Sequence, residues 1–167
     1  MKKEKRMLWL MVIVSLSTLP LLGWKSIRRY IPAITFINLY LCMESHLAYK
    51  KKWWVIKEKI HPSLIGEFAL MVGPFFAGTL WILKWTYGKF PLYMLVNIAF
   101  GWFFAFPFYT YFEKHGIWAL KKLKRWQLWL VFTNKAVLMY FYQKLVEKET
   151  YKGIKEAKEA KEEEQYS

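Results

Sequence analysis

Asn38–Glu67 reads NLYLCMESHLAYKKKWWVIKEKIHPSLIGE. Its first part is apolar except for Asn38, Glu44, Ser45 and His46. A basic turn follows, Lys50-Lys51-Lys52, with Trp53 and Trp54 beside it. Beyond Pro62 the chain becomes apolar again around Glu67. Trp next to Lys suits the headgroup level of a bilayer, so this reads as two membrane-crossing segments joined at one face.

The rest of the chain fits that frame. Of 167 residues, 56% are hydrophobic and 20% aromatic. A soluble unit of this length cannot bury that much apolar area, whereas a bilayer covers it. The net charge is +14, and no Asp occurs. Such a balance can mark nucleic-acid binding. Here Lys and Arg stand at the ends of apolar runs, so anionic lipid headgroups are the expected partner and nucleic acid is not. The single Cys42 lies inside an apolar run and reads as a small buried residue.

Met1–Arg6 is basic and precedes an apolar run to Gly23. No small-residue cleavage site follows, so it reads as a retained first span, rising about 26 Å. The spans expected are 7–23, 31–49, 63–83, 90–112 and 126–145, with Pro32, Pro62 and Pro91 opening helices. Pro107 should bend the fourth. The fold class is therefore all-α: a polytopic membrane helical bundle over residues 1–146, with five spans. It has four if 126–145 lies on the inner surface. Ile117–Trp126 reads as a basic interfacial helix, and 147–167 as a charged helix or disordered tail. Lys and Arg number four, five and five in the N-terminus and the second and fourth connections, against three and two opposite. That bias predicts a cytoplasmic N-terminus.

Ionisable groups inside spans are the candidate functional residues, because a central charge costs roughly 2.5–3.5 kcal/mol on insertion scales. Glu44, Glu67 and Lys135 qualify. Helical rise places Glu44 about 9 Å, Glu67 about 6 Å and Lys135 about 14 Å from the inner boundary. Side chains lean toward their own helix N-terminus, so Lys135 and Glu44 converge. Lys135–Glu44 is the first-choice ion pair and Lys135–Glu67 the second. A helix-locking role outweighs a proton- or ion-coupled one. Thr35, Asn38, Cys42, Ser45 and Tyr49 share a second face of the same helix, with Asn97 and Asn134 as partners expected for Asn38. Gly66, Ala69, Gly73 and Ala77 form a small-residue stripe, suited to an internal helix contact or, less so, a homo-oligomer seam. His46, His61 and His115 fall toward the inner side, but their spacing argues against metal binding. No nucleophile elbow, C-x-x-C, P-loop or dinucleotide motif occurs, and nothing calls for a cofactor.

A short five-span chain with a basic N-terminus, a Trp-rich second connection and a charged tail resembles small uncharacterised polytopic membrane proteins of spore-forming Gram-positive bacteria. The resemblance covers about residues 7–145. It implies a plasma-membrane location, no assigned activity and no transferred site residues. The function expected is an interaction or scaffold protein, or a small subunit of a membrane assembly, without catalysis. The alternative is a small transporter or channel subunit using Glu44, Glu67 and Lys135, and the third is a lipid-directed membrane enzyme.

Overall fold

The computed structural model describes residues 3–57, 59–61, 64 and 66–166, with side chains from Glu4 to Glu156. The expected start of the third span, Pro62 and Ser63, lies outside the described residues. The chain is mostly helical. Three helices are long and apolar enough to cross a membrane: Glu4–Leu22, Phe68–Thr86 and Phe90–Lys114. Large apolar side chains face outward in number, among them Leu10 at 65%, Leu21 at 73% and Leu95 at 65% exposure. An exposed apolar surface of that extent needs a cover, and hydrocarbon supplies one.

Helix α1 (Lys3–Ser17) and the short α2 (Leu19–Leu22) form the first of these three apolar segments. Gly23, at φ +76°, turns the chain at once into α3 (Trp24–Lys51). Residues 24–30, expected as a connection, are thus the first turns of α3, and Pro32 sits inside the helix. Gly23 alone makes the reversal, and Lys25, Ile27, Arg28 and Arg29 include good helix formers. Lys52 ends α3 in the left-handed region, and Lys50 and Lys51 complement the negative end of its dipole.

The second apolar segment is α4 (Phe68–Leu70), a π-helical turn over Met71–Phe75, and α5 (Phe76–Thr86). The third is α6 (Phe90–Phe103), a π-helical turn over Phe104–Phe108, and α7 (Tyr109–Lys114). Each π turn holds a proline, Pro74 or Pro107. Proline has no N–H to give and its ring crowds the preceding turn, so the ladder slips by one residue there. Gly73 takes up the distortion at ψ −105°.

Ile117–Trp126 is not an interfacial helix. Strand β2 (Trp118–Leu120) pairs antiparallel with β1 (Trp54–Ile56), setting Trp54 opposite Leu120 and Ile56 opposite Trp118. The Trp53 carbonyl accepts from the Lys121 N–H at 2.9 Å and the Lys122 N–H at 3.2 Å. Trp118 is buried beneath the seam, edge-on to Tyr109. A partner 62 to 66 residues away in the chain thus overrides the local helical pattern. The seam puts the second and fourth connections side by side. The start of α1 joins them there, where the Tyr111 hydroxyl meets Met7 Sδ at 3.4 Å. The three Lys/Arg-rich segments therefore share one end of the molecule.

The last helix, α8 (Arg125–Tyr166), is a single rod of 42 residues. It packs against α3 and α6, while α5 also packs against both of those helices, so α3, α5, α6 and α8 close a ring. Two apolar clusters fill it. One, around Leu8, Trp54, Phe104 and Trp118, lies at the seam end; the other, around Tyr30, Leu80, Leu83 and Tyr93, lies at the far end.

Candidate functional site

The interior charges meet on α3 and α8. Lys135 Nζ donates to Glu44 Oε2, and the two residues are only 7% and 8% exposed. The ammonium also stands over the Phe132 ring, 4.7 Å from its centroid. Opposite charges so enclosed are stable only as a pair, since each alone carries a large desolvation cost.

Glu67 makes no direct bond to Lys135, although its charge acts on the ammonium from a distance. Its Oε1 accepts from the Trp54 indole N–H. Glu67 immediately precedes α4, at the seam end, and β1 brings Trp54 to it. The second-choice pair is therefore replaced by a carboxylate–indole contact.

The Asn38 face divides between two cavities. Asn38 lines a cavity of about 90 Å³ at the bundle axis, together with Thr79, Asn97 and Lys135. Cys42, Ser45 and Tyr49 line a second, of about 500 Å³, at the seam end with His46, Lys59 and Glu67. The two share no lining residue, and Glu44 lines neither. The amide partners differ from expectation. Asn97 donates from Nδ2 to its own helix, at Tyr93 O, 2.8 Å away. Asn134 is exposed. It precedes Lys135 by one residue and so points about 100° away from the buried face.

The small-residue stripe is spent inside the chain. Ala69, Gly73 and Ala77 are buried, and a Cβ at Gly73 would come within 3.1 Å of the Val12 backbone. Gly66 is closed by Ile56, at 2.7 Å from a Cβ placed there. The stripe thus seats α1 and β1 and offers no free seam. Among the described residues no three His, Cys, Asp or Glu gather as metal ligands. His46, His61 and His115 are all exposed, and His115 contacts the Tyr111 carbonyl through Nδ1 at 2.8 Å.

Two contacts escaped the sequence reading. At the far end Arg29 binds Glu147 through two nitrogens, at 2.6 and 3.1 Å. Gln143 Nε2 donates to Glu147 at 3.0 Å and to the Arg29 carbonyl at 3.1 Å. Arg29 also lies over the rings of Tyr30 and Tyr87, each at 5.3 Å. Partial burial alone would push the Glu147 carboxyl up, but the bonds from Arg29 and Gln143 hold it below the ordinary value. Burial, followed by the negative field of Glu147, pushes the Tyr87 phenol up to about 12. The available signal was the run Ala136, Met139, Gln143, Glu147 at steps of three and four, which carries the buried face past the expected span end. At the seam end Arg125 donates to Glu113 at 2.9 Å and to Thr110 at 3.0 Å. Helix α8 is thus tied by charge at three heights.

The chain matches no family model, no curated protein and no solved structure. Its reading rests on its own residues and their geometry.

Proposed function

We propose that this is an integral protein of the bacterial plasma membrane with five spans and a cytoplasmic N-terminus. It works without catalysis of its own, as a scaffold or small subunit of a membrane assembly in contact with anionic lipid. The carrying observation is α8, tied at Arg125, Lys135 and Glu147 and then continuing to Tyr166. From Arg125 to Glu147 the helix rises roughly 33 Å, about the thickness of a bilayer core. The remaining turns, to Tyr166, extend about 28 Å further as a charged rod, a reach that serves a partner and not the bundle. Polar residues such as Asn38 and Glu44 in α3 and Lys135 in α8 keep both helices below the apolarity of the other three, and their pairing is what would let them cross.

Single cysteines in a Cys42→Ser background test this arrangement. Lys25→Cys, Gly88→Cys and Ala160→Cys should react with an impermeant thiol reagent on intact cells, and Lys122→Cys only after permeabilisation. Labelling of Ala160→Cys only after permeabilisation would return α8 to the inner surface. Deleting 148–167 should leave the bundle folded and remove its cross-links to neighbouring membrane proteins. The second reading, a small transporter or channel subunit, draws its support from the axial cavity beside Lys135. The scaffold reading requires a cysteine at position 44 to stay unreactive from both sides.

A further inference from the structure

The axial cavity has a construction that helix packing alone does not require. The four helices of the ring each contribute one polar side chain to its wall: Asn38 from α3, Thr79 from α5, Asn97 from α6 and Lys135 from α8. Asn38 and Thr79 make no hydrogen bond among the described residues. Asn97 spends its N–H on Tyr93 and leaves its carbonyl oxygen over. Lys135 gives Glu44 one of its three protons. Asn38, Thr79 and Asn97 are only half-buried, so their open groups stand within reach of a small ligand or water.

The charge is asymmetric. Lys135 lines the cavity, Glu44 does not, and no carboxylate stands in its wall. The cavity therefore faces the positive side of the buried pair. It lies between the two apolar clusters, drawing Ile34 and Met139 from one and Phe75 and Phe104 from the other. Toward the seam end Phe75, Phe104 and Phe132 touch one another, with centroids 4.8 to 5.4 Å apart. Toward the far end the Tyr93 hydroxyl donates to the Ala136 carbonyl at 2.9 Å. At about 90 Å³, and open on one side, the cavity admits a ligand of a few atoms.

We infer that this cavity is a binding site for a small monovalent anion of halide or nitrate size. The Lys135 ammonium, the Asn38 amide N–H and the Thr79 hydroxyl are its donors. The site is independent of the scaffold reading, because it uses the bundle axis and not the part of α8 beyond Glu147. Glu44 is the anion's competitor: carboxylate and anion claim the same ammonium. Removing the Glu44 charge takes away the only carboxylate bonded to the ammonium and leaves Glu67 acting on it from a distance, so binding should tighten in the variant that lacks the native pair.

Isothermal titration calorimetry of the purified full chain tests this. Sodium bromide is the probe, with ionic strength held constant by gluconate, a much bulkier anion. The wild type should show one saturable site. N38A and T79V leave the ion pair intact and should weaken binding about tenfold each, the loss of one hydrogen bond to a charged group. E44Q should tighten it by a similar factor, and K135M should abolish it. Absence of saturable bromide heat in both wild type and E44Q would overturn the inference. Binding unchanged by N38A and T79V would also overturn it, by placing bromide at the lysine-rich end. The N38A and T79V results decide the matter if E44Q or K135M fails to fold.

Discussion

Two ion pairs join the same two helices, and they differ in almost every respect but charge. Lys135–Glu44 lies in the interior, with side chains 8% and 9% exposed. Arg29–Glu147 lies at the far end, at 52% and 31%. Along α8 they are separated by about 18 Å. The interior pair has one ammonium, one carboxylate and an aromatic ring. The far pair is bidentate, supported by Gln143 and two tyrosines. The better-furnished pair is the one that water can replace. The poorer one sits where nothing else can take its place. The medium, more than the bond count, decides how much each pair matters.

The largest expected effect comes from removing one interior charge. Glu44→Ala or Lys135→Ala should cost about 3–5 kcal/mol, because the surviving charge is left buried without a partner. Thermal unfolding in detergent reads this as a much lowered midpoint, and an unchanged midpoint would make the pair an ornament. Replacing both together, Glu44→Leu with Lys135→Met, should recover most of that loss, since apolar substitutes of similar size carry no desolvation cost. A double variant as unstable as the singles would mean that packing around Glu44, not charge, sets the stability. Arg29→Ala should cost about 1 kcal/mol or less, and the difference from wild type should shrink in high salt. A larger, salt-insensitive loss would erase the contrast between the two sites.

The smallest effect is one of pH. The folded Glu147 carboxyl titrates below its unfolded value of 4.5. Its contribution is therefore fully present above that value and is lost as pH falls through the lower, folded pKa. Wild type and Glu147→Gln should converge in stability as the solution is acidified below pH 4. A gap that widens on acidification would reverse the sign and contradict the assignment.

The interior pair was within reach of the sequence because depth and side-chain lean are local arithmetic: helical rise and the direction of Cβ are fixed by the backbone. Glu67 was not, because its partner Trp54 arrives through a strand seam between distant connections, and no periodicity announces such a seam. For the same reason Ile117–Trp126 reads as a helix alone and becomes a strand in company. Arg29 reads as part of a connection because Pro32 resembles a helix start, whereas Gly23 alone makes the turn. Asn38 stands on a polar face in the sequence, but the cavity it lines exists only once four helices have met around it. Thr79 gave no signal at all, being one hydroxyl in an apolar run.

Charge reversal puts the interior pair to its sharpest trial. Glu44→Lys and Lys135→Glu, singly and together, are compared by thermal unfolding in the same detergent. Each single variant places two like charges in contact and should be strongly destabilised. The double variant restores opposite charges at the same positions and should regain most of the wild-type midpoint. A double variant no more stable than either single would show that Lys135 and Glu44 do not hold α8 to α3.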